Sequence, residues 1–101
     1  MTDSVILILV VPPEVRDDLT DWLLAFHHEL TFITQLVEHH GAEPAALEIA
    51  EQVSGYQRRL RVEVQVAGDD AEPLLAELAA GFPGAGWDYW IVPLRSTGRI
   101  H

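Results

Sequence analysis

The chain contains no cysteine, no lysine and no asparagine. Without cysteine there can be no disulfide, no thiolate metal site and no thiol nucleophile. Without lysine there is no Schiff-base chemistry and no Walker-type phosphate loop. Serine occurs only at Ser4, Ser54 and Ser96, and Ser54, between Val53 and Gly55, is not a nucleophile elbow. Positive charge is scarce: six arginines face 16 acidic side chains, a net charge of -10 over 101 residues. Such a surface repels phosphate backbones and attracts cations and basic partners, so no nucleic-acid partner is expected. Long apolar runs are missing too. Val5 to Val11 is the longest and ends at Pro12-Pro13, whereas a membrane helix needs about 20 apolar residues. The start, Met1-Thr2-Asp3-Ser4, lacks the basic residues of a secretory signal. A cytoplasmic chain, not membrane-embedded, forming one domain over residues 1–101, is the expectation.

Local patterns give six main elements. Val5–Val11 is β-branched-rich and apolar at every position, as in a strand buried on both faces. Pro13 and Glu14 suit a first helical turn, and Val15, Leu19, Trp22, Leu23 and Phe26 then form one helical face, with His27-His28 at its end. Thr31 to about His40 has strand composition and stops at Gly41. Glu43-Pro44 opens a short helical piece to about Val53, and Gly55 ends it. Arg59–Val66 alternates cleanly, with Leu60, Val62, Val64 and Val66 on one side. A second helix starts near Gly68-Asp69-Asp70, with Asp69 and Glu72 spaced as a capping box, carries Leu74, Leu75 and Leu78, and stops at Gly81. Trp87–Val92 is a last strand before Pro93.

Strand, helix, strand, strand, helix, strand predicts an α+β chain, a ferredoxin-like βαββαβ sandwich with both helices on one sheet face. The first strand sends Val5, Leu7, Leu9 and Val11 to one face and Ile6, Ile8 and Val10 to the other. The last strand sends large aromatics both ways. One face therefore lacks a cover within the chain, and a further subunit is expected to supply it. Trp22 reads as core; Trp87, Tyr89 and Trp90 read as core and subunit interface.

Several segments carry a family resemblance: Leu9-Val10-Val11-Pro12-Pro13-Glu14, Glu51-Gln52-Val53, Gly55 with Arg58-Arg59, Tyr89-Trp90-Ile91-Val92-Pro93 and Ser96-Thr97-Gly98-Arg99-Ile100. The chain resembles a small bacterial PII-like (CutA-like) family of unassigned function whose genes often accompany heavy-metal efflux pumps. The resemblance implies a homotrimer. It also implies a loop, here Gly41 to Gln57, beside an intersubunit cleft where a small effector binds and a partner protein is contacted. That partner is expected to be an efflux-pump component.

Two residue groups could carry binding chemistry. His39-His40 lies among Glu38, Glu43, Glu48 and Glu51, and imidazole with carboxylate suits Zn, Cu or Ni. His39, His40 and Glu51 are the candidate metal ligands. Strand neighbours point to opposite faces, so His39 and His40 share an ion only if the strand has ended; Glu38 and His40 do share a face. His27-His28 reads as a helix-end pair, and His101 as a free terminus. Arg58, Arg59 and Arg61 cluster at the start of the third strand, and Arg95 and Arg99 follow the last. Guanidinium groups take phosphate bidentately, which makes Arg58 and Arg59 the candidate site for an anion such as an adenine nucleotide. Ion pairing with the many carboxylates is the plainer reading. Gly81–Gly86 matches no nucleotide fingerprint and reads as a turn.

Nothing favours catalysis, and no catalytic residue is assigned. The arginine–asparagine pair of small ferredoxin-like phosphatases cannot be built. The expected function is that of a PII-like regulatory or sensor protein, not an enzyme. A metal-binding buffer or delivery protein is the alternative, and a small ferredoxin-like enzyme the lesser one.

Overall fold

The computed structural model describes residues 3–26, 30–41 and 47–101. The His27-His28 pair and the Glu43-Pro44 helix start lie outside them. The described elements are β1 (Ser4–Val11), a 3-10 turn (Pro13–Val15), α1 (Arg16–Phe26), β2 (Phe32–His39), α2 (Ile49–Ser54), β3 (Gln57–Ala67), α3 (Gly68–Gly81) and β4 (Asp88–Pro93). The strands form one sheet in the order β2-β3-β1-β4, antiparallel at every pairing. This is a small α+β fold whose strand order agrees with two interleaved strand–helix–strand units.

The pairing register decides what is buried. Leu7 lies opposite Val64 and Leu9 opposite Val62, so the apolar rows of β1 and β3 share a face. That face meets Leu19 and Leu23 of α1 and Ala71, Leu74 and Leu78 of α3, and together these residues form the core. Val15, Trp22 and Leu75 pack at its margin. Burying such side chains contributes roughly 1.5–3 kcal/mol each, which is what holds α1 and α3 to the sheet.

β1 is not fully enclosed on both faces. Leu7 and Val11 are fully buried, but Ile6, Ile8 and Val10 are only half-buried. They belong to the face that no helix of the described residues covers. Trp90, across from Ile8, is 50% exposed there, and Ile33, across from Glu63, is 67% exposed. β4 includes Pro93, paired with Val5, and all six of its residues are exposed. An edge strand tolerates that proline. Of its aromatic neighbourhood, only Trp87 joins the margin of the core, its ring 4.9 Å from Phe82.

Two local expectations are corrected. The first turn at Pro13 is a 3-10 turn rather than the start of the α-helix. α3 begins at Gly68, directly after β3, so Ala67 occupies the N-cap with no side-chain cap; Asp69 is already inside the helix and cannot form the expected capping box with Glu72. Gly81 is the last residue of α3, as expected, and a β-carbon there would stand 2.8 Å from Trp22 Nε1.

Candidate functional site

The register brings the ends of β1 and β2 and the starts of β3 and β4 to one end of the sheet, where Val11 faces Leu60, His39 faces Gln57 and Val10 faces Asp88. α2 lies in the β2–β3 connection at this end. All five candidate residues, His39, His40, Glu51, Arg58 and Arg59, therefore gather at one pole. Arg95 and Arg99 do not join them, because the tail leaves from Pro93 at the opposite end, beside Val5.

α2 is only six residues long and contributes no buried residue. A helix this short has no stability of its own, so its fixings matter. Within the described residues it starts at Ile49, with extended Glu48 as N-cap. Here the sequence does form a capping box: the Glu48 side chain takes a backbone N–H of the first turn, and Glu51 Oε1 accepts the Glu48 N–H at 3.0 Å. Gly55, at φ 82°, closes the helix and donates its N–H to the Glu51 carbonyl at 2.7 Å. The other oxygen, Glu51 Oε2, lies 3.7 Å from Arg59 Nη1, with the two side chains only 18% and 21% exposed. Arg59 Nη1 also donates to the Arg58 carbonyl at 2.8 Å. Glu51 is thus the residue through which α2 is fastened to β3. Its outer side carries Ile49 and Val53, 83% and 87% exposed.

Beside this contact lies a cleft of ≈ 570 Å³, lined among others by Glu14, Arg16, Glu48, Glu51, Arg58 and Arg59. Its size falls in the range of small-molecule sites, about 300–1,000 Å³. Three guanidinium groups face three carboxylates, so the lining suits a ligand that brings both signs of charge.

The histidines part company. His39 turns to Gln57, with Nδ1 3.3 Å from Oε1. Gln57 is 7% exposed, a buried amide that needs such a partner. That contact occupies Nδ1, and Nε2 is the ring nitrogen outside it. His40 turns the other way. Its Nε2 is 3.4 Å from Glu38 Oε1 on an exposed surface, and its ring lies 5.5 Å from that of Tyr56. Among the described residues no three His, Asp or Glu side chains form a metal-ligand group, so His39, His40 and Glu51 are not brought together within one chain. What the chain does bring together is Glu51 with Arg59, one residue from each candidate set. His39 and Arg59 also line a smaller cavity of ≈ 170 Å³ with Gln57 and Asp88.

Reading the residues placed Glu48 among the carboxylates near His39-His40 without its capping role, and gave no sign of Gln57. The Glu48–Glu51 spacing, followed by Gly55, was a visible capping signal; nothing local marks Gln57 as buried.

No curated protein matches the chain significantly. Among solved structures, the chain is similar to a DUF3240 family protein from Shewanella baltica OS155, at 22% identity over 100% of both chains with a TM-score of 0.78. It is also similar to a Bacillus cereus protein related to NIF3, at 12% identity and a TM-score of 0.70, covering 97% of this chain and 27% of that one. Both likenesses are of fold. No helix among the described residues is long and apolar enough to cross a membrane. The model of the family described as "Protein of unknown function (DUF3240)" matches residues 1–101, and the chain belongs to that family.

Proposed function

We propose that the protein is a regulatory or sensor module, PII-like in arrangement, that binds a phosphorylated effector with its divalent cation beside α2. The observation that supports this reading is the mixed lining of the cleft, with Arg16, Arg58 and Arg59 facing Glu14, Glu48 and Glu51. Guanidinium groups suit phosphate oxygens, and a cation already coordinated by phosphate needs only one or two protein carboxylates. A nucleotide–metal complex offers both. It would draw Arg59 away from Glu51, and that exchange would loosen the fastening of α2 and change how Ile49 and Val53 are presented to a partner. Such coupling requires only that the effector prefer one α2 arrangement over the other. In this reading the chain works without catalysis. It acts as an oligomer, taken to be a homotrimer that covers the open sheet face. Its partner is taken to be a heavy-metal efflux component, as the family resemblance implies.

Titration calorimetry with ATP, ADP, Mg(II), Zn(II), Cu(II) and Ni(II), singly and combined, tests it. Nucleotide with cation should bind at least about tenfold more tightly than either alone, and the double change Arg58→Ala/Arg59→Ala should abolish the heat. Equal binding by the double variant would overturn the proposal.

The metal-buffer reading keeps one supporting observation, the adjacent Glu38 and His40 at 3.4 Å. A further ligand would have to come from another chain or segment. Transition-metal binding that is lost in His39→Ala/His40→Ala, with nucleotide giving no signal, would favour it.

A further inference from the structure

We infer that the small cavity lined by His39, Gln57, Arg59 and Asp88 is a site for a small zwitterion, an α-amino acid with a short side chain. This site is separate from the effector cleft: Arg59 borders both spaces, but His39, Gln57 and Asp88 do not line the larger one.

The sheet register assembles the four residues. His39 and Gln57 are paired across β2 and β3, and Arg59 follows two positions along on the same face. Val10 of β1, on that face too, is paired with Asp88 of β4. The cavity measures ≈ 170 Å³. At roughly 30 Å³ for each water-sized group, that is space for about five or six non-hydrogen atoms. It is too small for a nucleotide and lies below the range of about 300–1,000 Å³ of drug-sized sites.

Charge decides what kind of small molecule fits. Arg59 and Asp88 line one cavity but make no ion pair with each other. The ion pair of Arg59 is to Glu51 at 3.7 Å, and its hydrogen bond is to the Arg58 carbonyl at 2.8 Å. Nη1 makes both contacts, whereas a guanidinium offers five N–H donors, so donors remain for a ligand. The Asp88 carboxylate has no hydrogen bond or ion pair among the described residues. A lone anion would meet Asp88 and a lone cation would meet Arg59. A molecule with both charges answers each: its carboxylate goes to Arg59 and its ammonium to Asp88. His39, with Nε2 outside the Gln57 contact, adds one more polar partner. Val10 and Trp87 supply apolar wall for a methyl-sized side chain. Glycine and alanine have this size and this pair of charges.

Titration calorimetry on the full chain tests the site with alanine and two near-isosteres, propionate without the ammonium and isopropylamine without the carboxylate. Alanine should bind at least about tenfold more tightly than either. Asp88→Asn, at an exposed position, should bring alanine down to the level of propionate, and phenylalanine should not bind. Nucleotide with cation should bind Asp88→Asn as it binds the wild type, so the two sites fail or stand independently. No heat with glycine or alanine up to about 10 mM overturns the inference, as does alanine binding that Asp88→Asn leaves unchanged or phenylalanine binding as tight as that of alanine.

Discussion

Trp22 and Gly81 meet edge-on at the end of α3: a β-carbon added to Gly81 would lie 2.8 Å from Trp22 Nε1. The indole is not free to swing aside, because its ring also meets Phe82 in a T-shaped contact with centroids 6.0 Å apart. In a helix, Gly→Ala ordinarily stabilises by roughly 0.5–1 kcal/mol. At this position the overlap reverses the sign. Gly81→Ala is expected to lower unfolding free energy by about 1–3 kcal/mol in urea titration. A neutral or stabilising result would show that α3 and Trp22 do not approach this closely.

The fastening of α2 predicts a local effect rather than a global one. Glu51→Gln keeps an oxygen for the Glu48 N–H but removes the charge that faces Arg59. Global stability should fall by less than about 1 kcal/mol, while amide hydrogen exchange across Ile49–Ser54 rises several-fold. If α2 exchange is unchanged, Arg59 is not what holds it.

Among the described residues nothing covers Ile49 and Val53. Ile49→Ser/Val53→Ser should leave the urea midpoint within about 0.5 kcal/mol of wild type. Binding to whatever partner uses α2 should nonetheless drop, as an affinity measurement would read. A large loss of stability would mean that this surface is covered within the chain.

The two faces of the sheet predict opposite outcomes for neighbouring substitutions. Leu7→Ala, at a fully buried position, should cost about 2–5 kcal/mol. Ile33→Ala, on the uncovered face and 67% exposed, should cost the monomer under about 0.5 kcal/mol and weaken self-association instead. Denaturation at two protein concentrations distinguishes these: only the second variant should lose its concentration dependence.

Much of the fold was legible in the residues because period and burial coincide. The alternation of Leu60, Val62, Val64 and Val66 fixed which side of β3 is core, and Leu19 and Leu23 did the same for α1. The uncovered face followed from Ile6, Ile8 and Val10, which have no helical partner in a chain this short. What escaped depended on distant neighbours. The helix stop at Gly81 was readable, whereas its contact with the indole was not, since nothing nearby in sequence announces Trp22. Asp69 looked like a cap, since spacing alone does not show that β3 passes into α3 without a turn. The separation of His39 from His40 was readable from strand alternation, whereas the partners Gln57 and Tyr56 were not. Glu51 was singled out as a metal ligand, and its place within one chain opposite Arg59 depends on a strand that begins after Gly55 has reversed the chain.

The missing turn between Ala67 and Gly68 has a positional consequence. The junction is pinned by the Gly68 N–H on the Asp3 carbonyl at 2.7 Å, and α3 folds straight back over the sheet, laying Ala71, Leu74 and Leu78 on Val62 and Val64. Its C-terminal end is thereby returned towards the end of the sheet where β3 and β4 start, and Ala85, Gly86 and Trp87 come to line one cavity with Gln57 and Arg59.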